Sequence, residues 1–520
     1  MNYSFFSFFV CFVIKERFSS ARKSLSTVAK YDQGVQLYQG LQFLVKGCYH
    51  DEEMFTDFEK KELPKPVSLG KLIGPSFILL GLGLGSGEII LWPFLVSQFG
   101  LGIIWAAVFG ISMQFFLNME IARYSLATGE SVFVGLTRKF GILSPYWFIF
   151  STLIPWIWPG IVASSGLILA NLFGLTYTAV LPITLLCVIG LILSLGPVLY
   201  KTQENLQKIV IWIGVPVVFA ITFFLAKPAD WQELGLGLLG KGVNFWFLPK
   251  DLSMAAFLGA MAYAGAGGNL NLAQSLYVKA KGYGMGKYSG QITSLFTGKK
   301  EDIRLTGFVF EMNKKNLSRF NIWWRRMNLE HAVVFWLTGG ITILILAVLA
   351  FSTVFNSNDN QAGIGFILNE SRVISTKSTQ WLGGVFLLIV GTMLFFTQFS
   401  VLGSTSRIMT ENLAILTWKK LGGKYISLYF YMFLWLQIAA GIVIFILGFN
   451  EPLKLVVLGA VLNAFSMFVY SGLILWLNNA LLPKPIRPSL IRQGVIICSF
   501  LFYGFFSMIV IYENVVKALI

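Results

Sequence analysis

The chain has 520 residues, 56% of them hydrophobic and 12% charged, with mean hydropathy +0.71 and a formal net charge of +16. A soluble domain carries roughly 25% charged residues, so this composition excludes a soluble globular protein and points to an integral membrane protein. The surplus positive charge is then read as basic loops on one side of a bilayer, and no nucleic-acid partner is expected.

Residues 1–62 form an N-terminal extension. Its stretch "YSFFSFFVCFVI" is apolar but only 12 residues long, too short to span a bilayer. Lys15 and Arg17 follow that stretch, whereas a secretory signal places its charge first. The readings left are an interfacial segment or an over-long gene start. Residues 63–520 form the membrane domain. Eleven segments within it are long and apolar enough to be helices: 69–97, 102–127, 143–171, 178–196, 207–226, 251–278, 330–352, 380–401, 425–447, 454–476 and 493–515.

Charge orients them. With the N-terminus cytoplasmic, the inside loops hold 22 Lys and Arg and the outside segments hold 6. The inside loop 279–329 carries 11 of these against Glu301, Asp302 and Glu311. It is read as a solvated insertion that fixes topology, with anionic lipid or a regulator as the functional alternative. In an outside loop, Asn369–Ser371 reads "NES", a glycosylation signal if the source cell glycosylates. The four cysteines are scattered and the two histidines, His50 and His331, are too few for a metal cage. No nucleophile–base set and no nucleotide motif is present, so neither an enzyme nor a cofactor is expected.

Two spans are interrupted. Span 1 meets "GLGLGSGE" at 81–88, and span 6 meets "YAGAGGN" at 263–269. A gap of five spans is what two inverted five-helix repeats produce: about 69–226 and 251–476, with an extra helix at 493–515. Unwound backbone at membrane depth is expected to line a cavity, and paired breaks point to a transporter's central site. The candidate binding residues are Gly85, Ser86, Gly87 and Glu88 with Gly265, Ala266, Gly267, Gly268 and Asn269. Close helix packing by small residues is the competing reading. It leaves the polar residues that end both stretches unexplained: Ser86 and Glu88, then Asn269, Asn271 and Gln274. Glu88 has no partner nearby in sequence. It is a candidate cation ligand or proton carrier, or an N-cap for the half-helix that follows. Glu120 and Arg123, at i, i+3 on span 2, form either a neutralised structural pair or a gating pair.

The stretch from "GPSFILLGLGLGSGE" through "SLATGES" resembles spans 1 and 2 of the natural resistance-associated macrophage protein (Nramp) family. In that family Gly-Pro opens span 1, a DPGN motif starts ten residues after the proline, and span 2 ends in Thr-Gly or Ser-Gly. Here Pro75 leads to Gly85, and Thr128-Gly129 supplies the ending. "NLNLAQS" at 269–275 is similar to the sequence after the family's MPH motif on span 6. The resemblance implies a leucine-transporter-type inverted repeat, alternating access and, in the family, proton-coupled import of divalent metal ions. The ligands depart from that pattern. DPGN is replaced by Gly85-Ser86-Gly87-Glu88, MPH by Ala266-Gly267-Gly268, and span 3 carries no acid. What remains is oxygen-only, which suits a hard cation such as Mg²⁺ over Mn²⁺ or Fe²⁺.

The expected protein is therefore a multi-pass transporter, most simply of the cell membrane, whose partners are the bilayer and a transported small ion. Glu88 is the one candidate metal ligand. A transporter of an organic solute such as an amino acid, and a non-transporting sensor or scaffold, are the alternatives. Oligomeric state is not legible.

Overall fold

The computed structural model describes residues 58–68, 72, 74–195, 199–289, 304–355, 363–421 and 425–513. The "YSFFSFFVCFVI" stretch lies outside them. In chain order the elements are β1 (Glu59–Lys60), α1 (Pro75–Gly83), α2 (Trp92–Phe99), α3 (Trp105–Thr128), α4 (Val132–Phe140), α5 (Leu143–Trp156), α6 (Gly160–Leu172), α7 (Val180–Leu195), α8 (Leu199–Leu225), α9 (Pro228–Leu238), α10 (Met254–Ala262), α11 (Ala273–Lys281), β2 (Phe308–Val309), α12 (Lys314–His331), α13 (Thr338–Val354), α14 (Gly365–Lys377), α15 (Gln380–Leu421), α16 (Ile426–Ile446), α17 (Pro452–Leu481) and α18 (Leu490–Ile511). Among the described residues, nine helical stretches are long and apolar enough to cross a membrane. The shorter apolar helix α7 and the broken pair α10/α11 fall on the two remaining expected spans. The protein is an all-α, multi-pass integral membrane protein. Its outer surface suits lipid: Trp212, Phe224 and Ile446 are about 70% exposed, an arrangement that water would penalise.

The span 1 break is shorter than an unwound loop. Helix α1 opens with Pro75 at its first position, where a missing N–H is harmless. It ends at Gly83, the chain turns at Leu84–Gly85, and Ser86–Leu91 winds as a π-helical turn. Trp92 N–H bonds the Gly87 carbonyl five residues back. Pro93, next in line, has no N–H to continue the α ladder. The wide turn absorbs that loss, and such π-bulges recur at functional sites. The span 6 break is more open. Ser253 caps α10 by accepting from Ala256 N–H at 3.3 Å, and the helix stops at Ala262. Gly267 (φ 78°) and Gly268 (φ 51°) are left-handed, a conformation that glycine adopts without strain. A 3₁₀ turn, Gly268–Leu272, then leads into α11.

Two expected loops hold substantial helix among the described residues. The first, 279–329, holds most of α12, which runs 18 residues to His331 and continues through a π turn, Ala332–Leu337, into α13 of span 7. Asn313 caps it by accepting from Asn316 N–H at 2.9 Å. Its donors hold a strap formed by residues 58–67. Arg319 bonds Leu63 O (2.7 Å), Trp323 bonds Pro64 O (2.9 Å) and Arg326 bonds Val67 O (2.5 Å). Lys315 and Arg319 also pair with Glu62 and hold its carboxyl below the usual carboxylate range. Strand β1 pairs in parallel with β2 beside them.

The second loop, 402–424, is the continuation of α15, which reaches Leu421 instead of ending near 401. Its polar residues Arg407, Glu411 and Asn412 are buried against other helices. Glu411 accepts from Ser131 Oγ at 2.9 Å and pairs with Lys279 at 3.4 Å. Hydropathy read this stretch as loop because the charges that interrupt it are satisfied internally. Glu88, Glu120 and Arg123 are accordingly not the only charges buried in the bundle. The "NES" signal is also overturned. Asn369 sits buried in α14, where its Oδ1 accepts from Arg372 at 3.2 Å, and a glycan has no room on the folded chain.

Candidate functional site

The two breaks meet. A methyl group on Gly83 would lie 3.0 Å from the Gly265 carbonyl carbon. On Gly87 it would lie 2.5 Å from the Tyr263 carbonyl carbon and closer still to its oxygen. Gly85 faces Thr397 of α15 at 2.5 Å by the same measure, and Gly268 faces the Asn463 amide of α17. In this conformation the glycines permit backbone contact, so the packing role weighed in the sequence holds at these positions. Gly85, Ser86, Gly87 and Glu88 are all buried, as are Gly265, Ala266, Gly267, Gly268 and Asn269.

Glu88 stands inside this contact. Its side chain is 1% exposed, and neither carboxyl oxygen has a hydrogen-bond partner. It does not cap the following half-helix, since it lies within the π turn and makes no capping bond. Its Oε1 lies 2.8 Å from where a methyl on Gly83 would be and 3.9 Å from one on Gly339 of α13. Gly265 in turn adjoins Gly83, so glycines lie on this side of the carboxyl. A buried carboxylate without a donor costs several kcal/mol, a cost a bound cation or proton would offset.

Residues outside the two motifs hold the breaks in place. Gln114 of α3 donates to Ala262 O at 2.9 Å, and its Oε1 accepts from Gly267 N–H at 3.2 Å and Asn271 Nδ2 at 3.3 Å. One amide thereby satisfies both sides of the span 6 break. Thr397 Oγ1 donates to Gly81 O at 3.1 Å at the span 1 break. Asn269 donates to Ser151 Oγ (2.8 Å) and Thr152 Oγ1 (2.9 Å) of α5, while its Oδ1 has no hydrogen-bond partner. A polar residue amid an apolar span was the available signal for Gln114 and Thr397, and spacing alone did not connect either to a break.

Glu120 and Arg123 do pair, at 2.6 Å. A third member joins them: Arg492 of α18 reaches Glu120 at 3.1 Å. Asn478 donates to Glu120 O at 2.9 Å, Arg123 donates to Ile486 O at 3.1 Å, and the Arg123 guanidinium lies over the Trp324 ring. This cluster ties α3, α12, α17 and α18 together and shares none of these partners with Glu88. Among the described residues, no group of three or more His, Cys, Asp or Glu side chains gathers into a metal site.

No known family's sequence profile matches the chain, and no curated protein matches it in sequence. Solved structures do match in fold. A mutant of the manganese transporter from Eremococcus coleocola aligns with TM-score 0.64 at 12% identity, covering 88% of this chain and 90% of that one. The same transporter in complex with an aromatic bis-isothiourea substituted compound aligns at 0.61, again at 12% identity and with the same coverage. Mhp1, a nucleobase-cation-symport-1 family transporter, closed with bromovinylhydantoin bound, aligns at 0.50 with 12% identity, covering 89% of this chain and 96% of that one. The shared property is the fold. It is a leucine-transporter-like inverted repeat, five helices plus five, with the first helix of each repeat broken.

Proposed function

We propose that the chain is a secondary transporter that moves a divalent cation by alternating access, preferring a hard cation such as Mg²⁺ to Mn²⁺ or Fe²⁺. The observation that carries this reading is the Glu88 carboxyl, buried without a hydrogen-bond donor where the two broken helices meet. The residues of the breaks, 81–88 and 263–269, offer carbonyls, Ser86, Glu88 and Asn269 but no sulfur or imidazole. Hard cations accept oxygen ligands and keep several waters, whereas thioether and imidazole ligands favour softer metals. Rocking of one repeat against the other would part the glycine contacts and admit the ion. The basic loops support a cytoplasmic N-terminus, and the cell membrane is the simplest location. Glu120 and Arg123 are read as a structural pair, given their third partner.

Reconstitution in liposomes tests this. Uptake of Mg²⁺, Mn²⁺ and amino acids is measured for the wild type and for Glu88→Gln. Mg²⁺ uptake abolished by Glu88→Gln is the expected result. Mn²⁺ uptake that survives the substitution would sink the assignment of Glu88. Amino-acid uptake without cation uptake would transfer the site to an organic solute, and no flux at all would make the chain a sensor or scaffold.

A further inference from the structure

A second buried polar group lies where spans 1 and 7 begin. Ser76 of α1 makes two hydrogen bonds, one to Glu330 Oε2 at 2.5 Å and one with His331 Nδ1 at 2.8 Å. Ser76 and His331 are at most 1% exposed. Two acceptor atoms of the group have no hydrogen-bond partner: Glu330 Oε1 and His331 Nε2.

The donor order follows from counting protons. A serine has one hydroxyl proton, and an ionised carboxylate only accepts. With Glu330 ionised, Ser76 donates to it, so His331 Nδ1 carries the proton that Ser76 accepts. Nε2 is then a bare lone pair, a tautomer assigned from this network. The three groups connect a proton acceptor at one end to a carboxylate at the other. Glu330 faces charge beyond it: Lys281 of α11 and Glu204 of α8 act on it electrostatically. These two pair at 3.0 Å, and Glu204 also pairs with the partly exposed Lys208 at 2.6 Å.

At the other end, His331 is stacked between two rings. Phe335 lies parallel to it with centroids 4.6 Å apart, and Phe115 of α3 lies at 5.6 Å. The Phe335 tip comes within 2.7 Å of where a methyl on Gly265 would be. Gly265 adjoins Gly83 and, through it, Glu88. Phe335 therefore separates His331 from the site where the breaks meet.

We propose that His331, Ser76 and Glu330 form a proton relay between the Glu88 site and the face of the molecule where spans 1 and 7 begin, with Phe335 as the plug between them. It rests on the transporter reading of that site. A proton arriving on His331 Nε2 releases the Nδ1 proton to Ser76 Oγ, and the hydroxyl proton of Ser76 passes to Glu330 Oε2. The product is the opposite imidazole tautomer and a protonated carboxyl, with one proton moved and no other bond changed. Intramembrane His and Glu chains of this kind serve as relays in pumps and transporters. This route runs through spans 1 and 7.

The test uses the full chain in liposomes loaded with a pH dye. Proton influx is driven by a potassium-diffusion potential, with and without external Mg²⁺, and Mg²⁺ flux is measured separately at equal pH on both sides. Ser76→Ala and His331→Gln are expected to reduce proton influx by about a hundredfold while Mg²⁺ flux at equal pH stays close to wild type. Ser76→Thr, which keeps the hydroxyl, is expected to keep both. Wild-type proton influx in Ser76→Ala would overturn the relay. So would a loss in Ser76→Thr as large as in Ser76→Ala, which marks a packing role. The absence of proton influx in the wild type, with and without Mg²⁺, would also overturn it. If the wild type carries protons but no Mg²⁺, the cation reading fails and the relay is judged on the potential-driven arm alone.

Discussion

Replacing Gly87 by alanine puts a single methyl group between the two broken helices. Its carbon would sit 2.5 Å from the Tyr263 carbonyl carbon, whereas carbon atoms pack at about 3.5–4.0 Å. The two backbones must therefore move apart by about 1 Å or more. No rotamer change relieves the clash, because the obstacle is main chain. Overpacking costs about 1–3 kcal/mol, and backbone against backbone belongs at the upper end. At about 2 °C per kcal/mol for a large chain, the melting temperature of the purified protein should fall by about 5 °C. Gly340→Ala is the control. It sits in α13 with nothing nearer than Ile111 Cγ2 at 4.0 Å, and alanine is favoured over glycine in a helix by about 0.5–1 kcal/mol. Thermal unfolding followed by size-exclusion fluorescence distinguishes the two. If Gly87→Ala melts with the wild type, or Gly340→Ala falls as far as Gly87→Ala, the contact between the breaks is not as described.

Gln114→Leu leaves the Ala262 carbonyl and the Gly267 N–H without their partner. It should cost about 2–3 kcal/mol and reduce liposome uptake, whereas a wild-type melt would show that water replaces the amide. Glu120→Ala strands Arg123, 4% exposed, and should cost about 3–5 kcal/mol. Arg492→Ala, on the rim of the same cluster, should cost about 1 kcal/mol, so equal melts would contradict that ordering. Glu370 of α14, outside the membrane-crossing helices, is buried and its carboxyl is pushed up to about 8. Its folded state holds a proton that the unfolded chain gives up near the ordinary value of 4.5. Stability should therefore fall as pH rises from 4.5 to about 8. Glu370→Gln should flatten that slope in melts taken across the range, and an unchanged slope would assign it to other groups.

The architecture was legible where physics leaves a one-dimensional trace. Eleven apolar runs, the alternation of basic loops and two glycine-rich interruptions five spans apart lead to the broken-helix repeat. The same reasoning misread α12 and the far end of α15, because Arg319 and Arg326 of the one and Arg407 and Glu411 of the other are charges that look like loop until the fold around them is seen. Glu88 could be singled out as an acid without a local partner. Gln114, Thr397 and the Ser76–Glu330–His331 group could not, since their meaning depends on residues as many as 316 positions away. The glycines carried two readings in the sequence, cavity lining and close contact, and only geometry shows that they are contact points here.

The glycines around Glu88 have a consequence for how such a site changes over time. Gly83 and Gly339 beside the carboxyl, and Gly265 beside Gly83, contribute no side chains with which to adjust it. A side chain at Gly83 must displace the Gly265 main chain and one at Gly265 the Phe335 ring, while one at Gly339 meets the tips of Ile111 and Leu80. Under the proposed cation reading, preference for one ion over another would depend on backbone shape on this side of the carboxyl, and drift in that preference should come through residues that steer the breaks from outside, Gln114 and Thr397 among them.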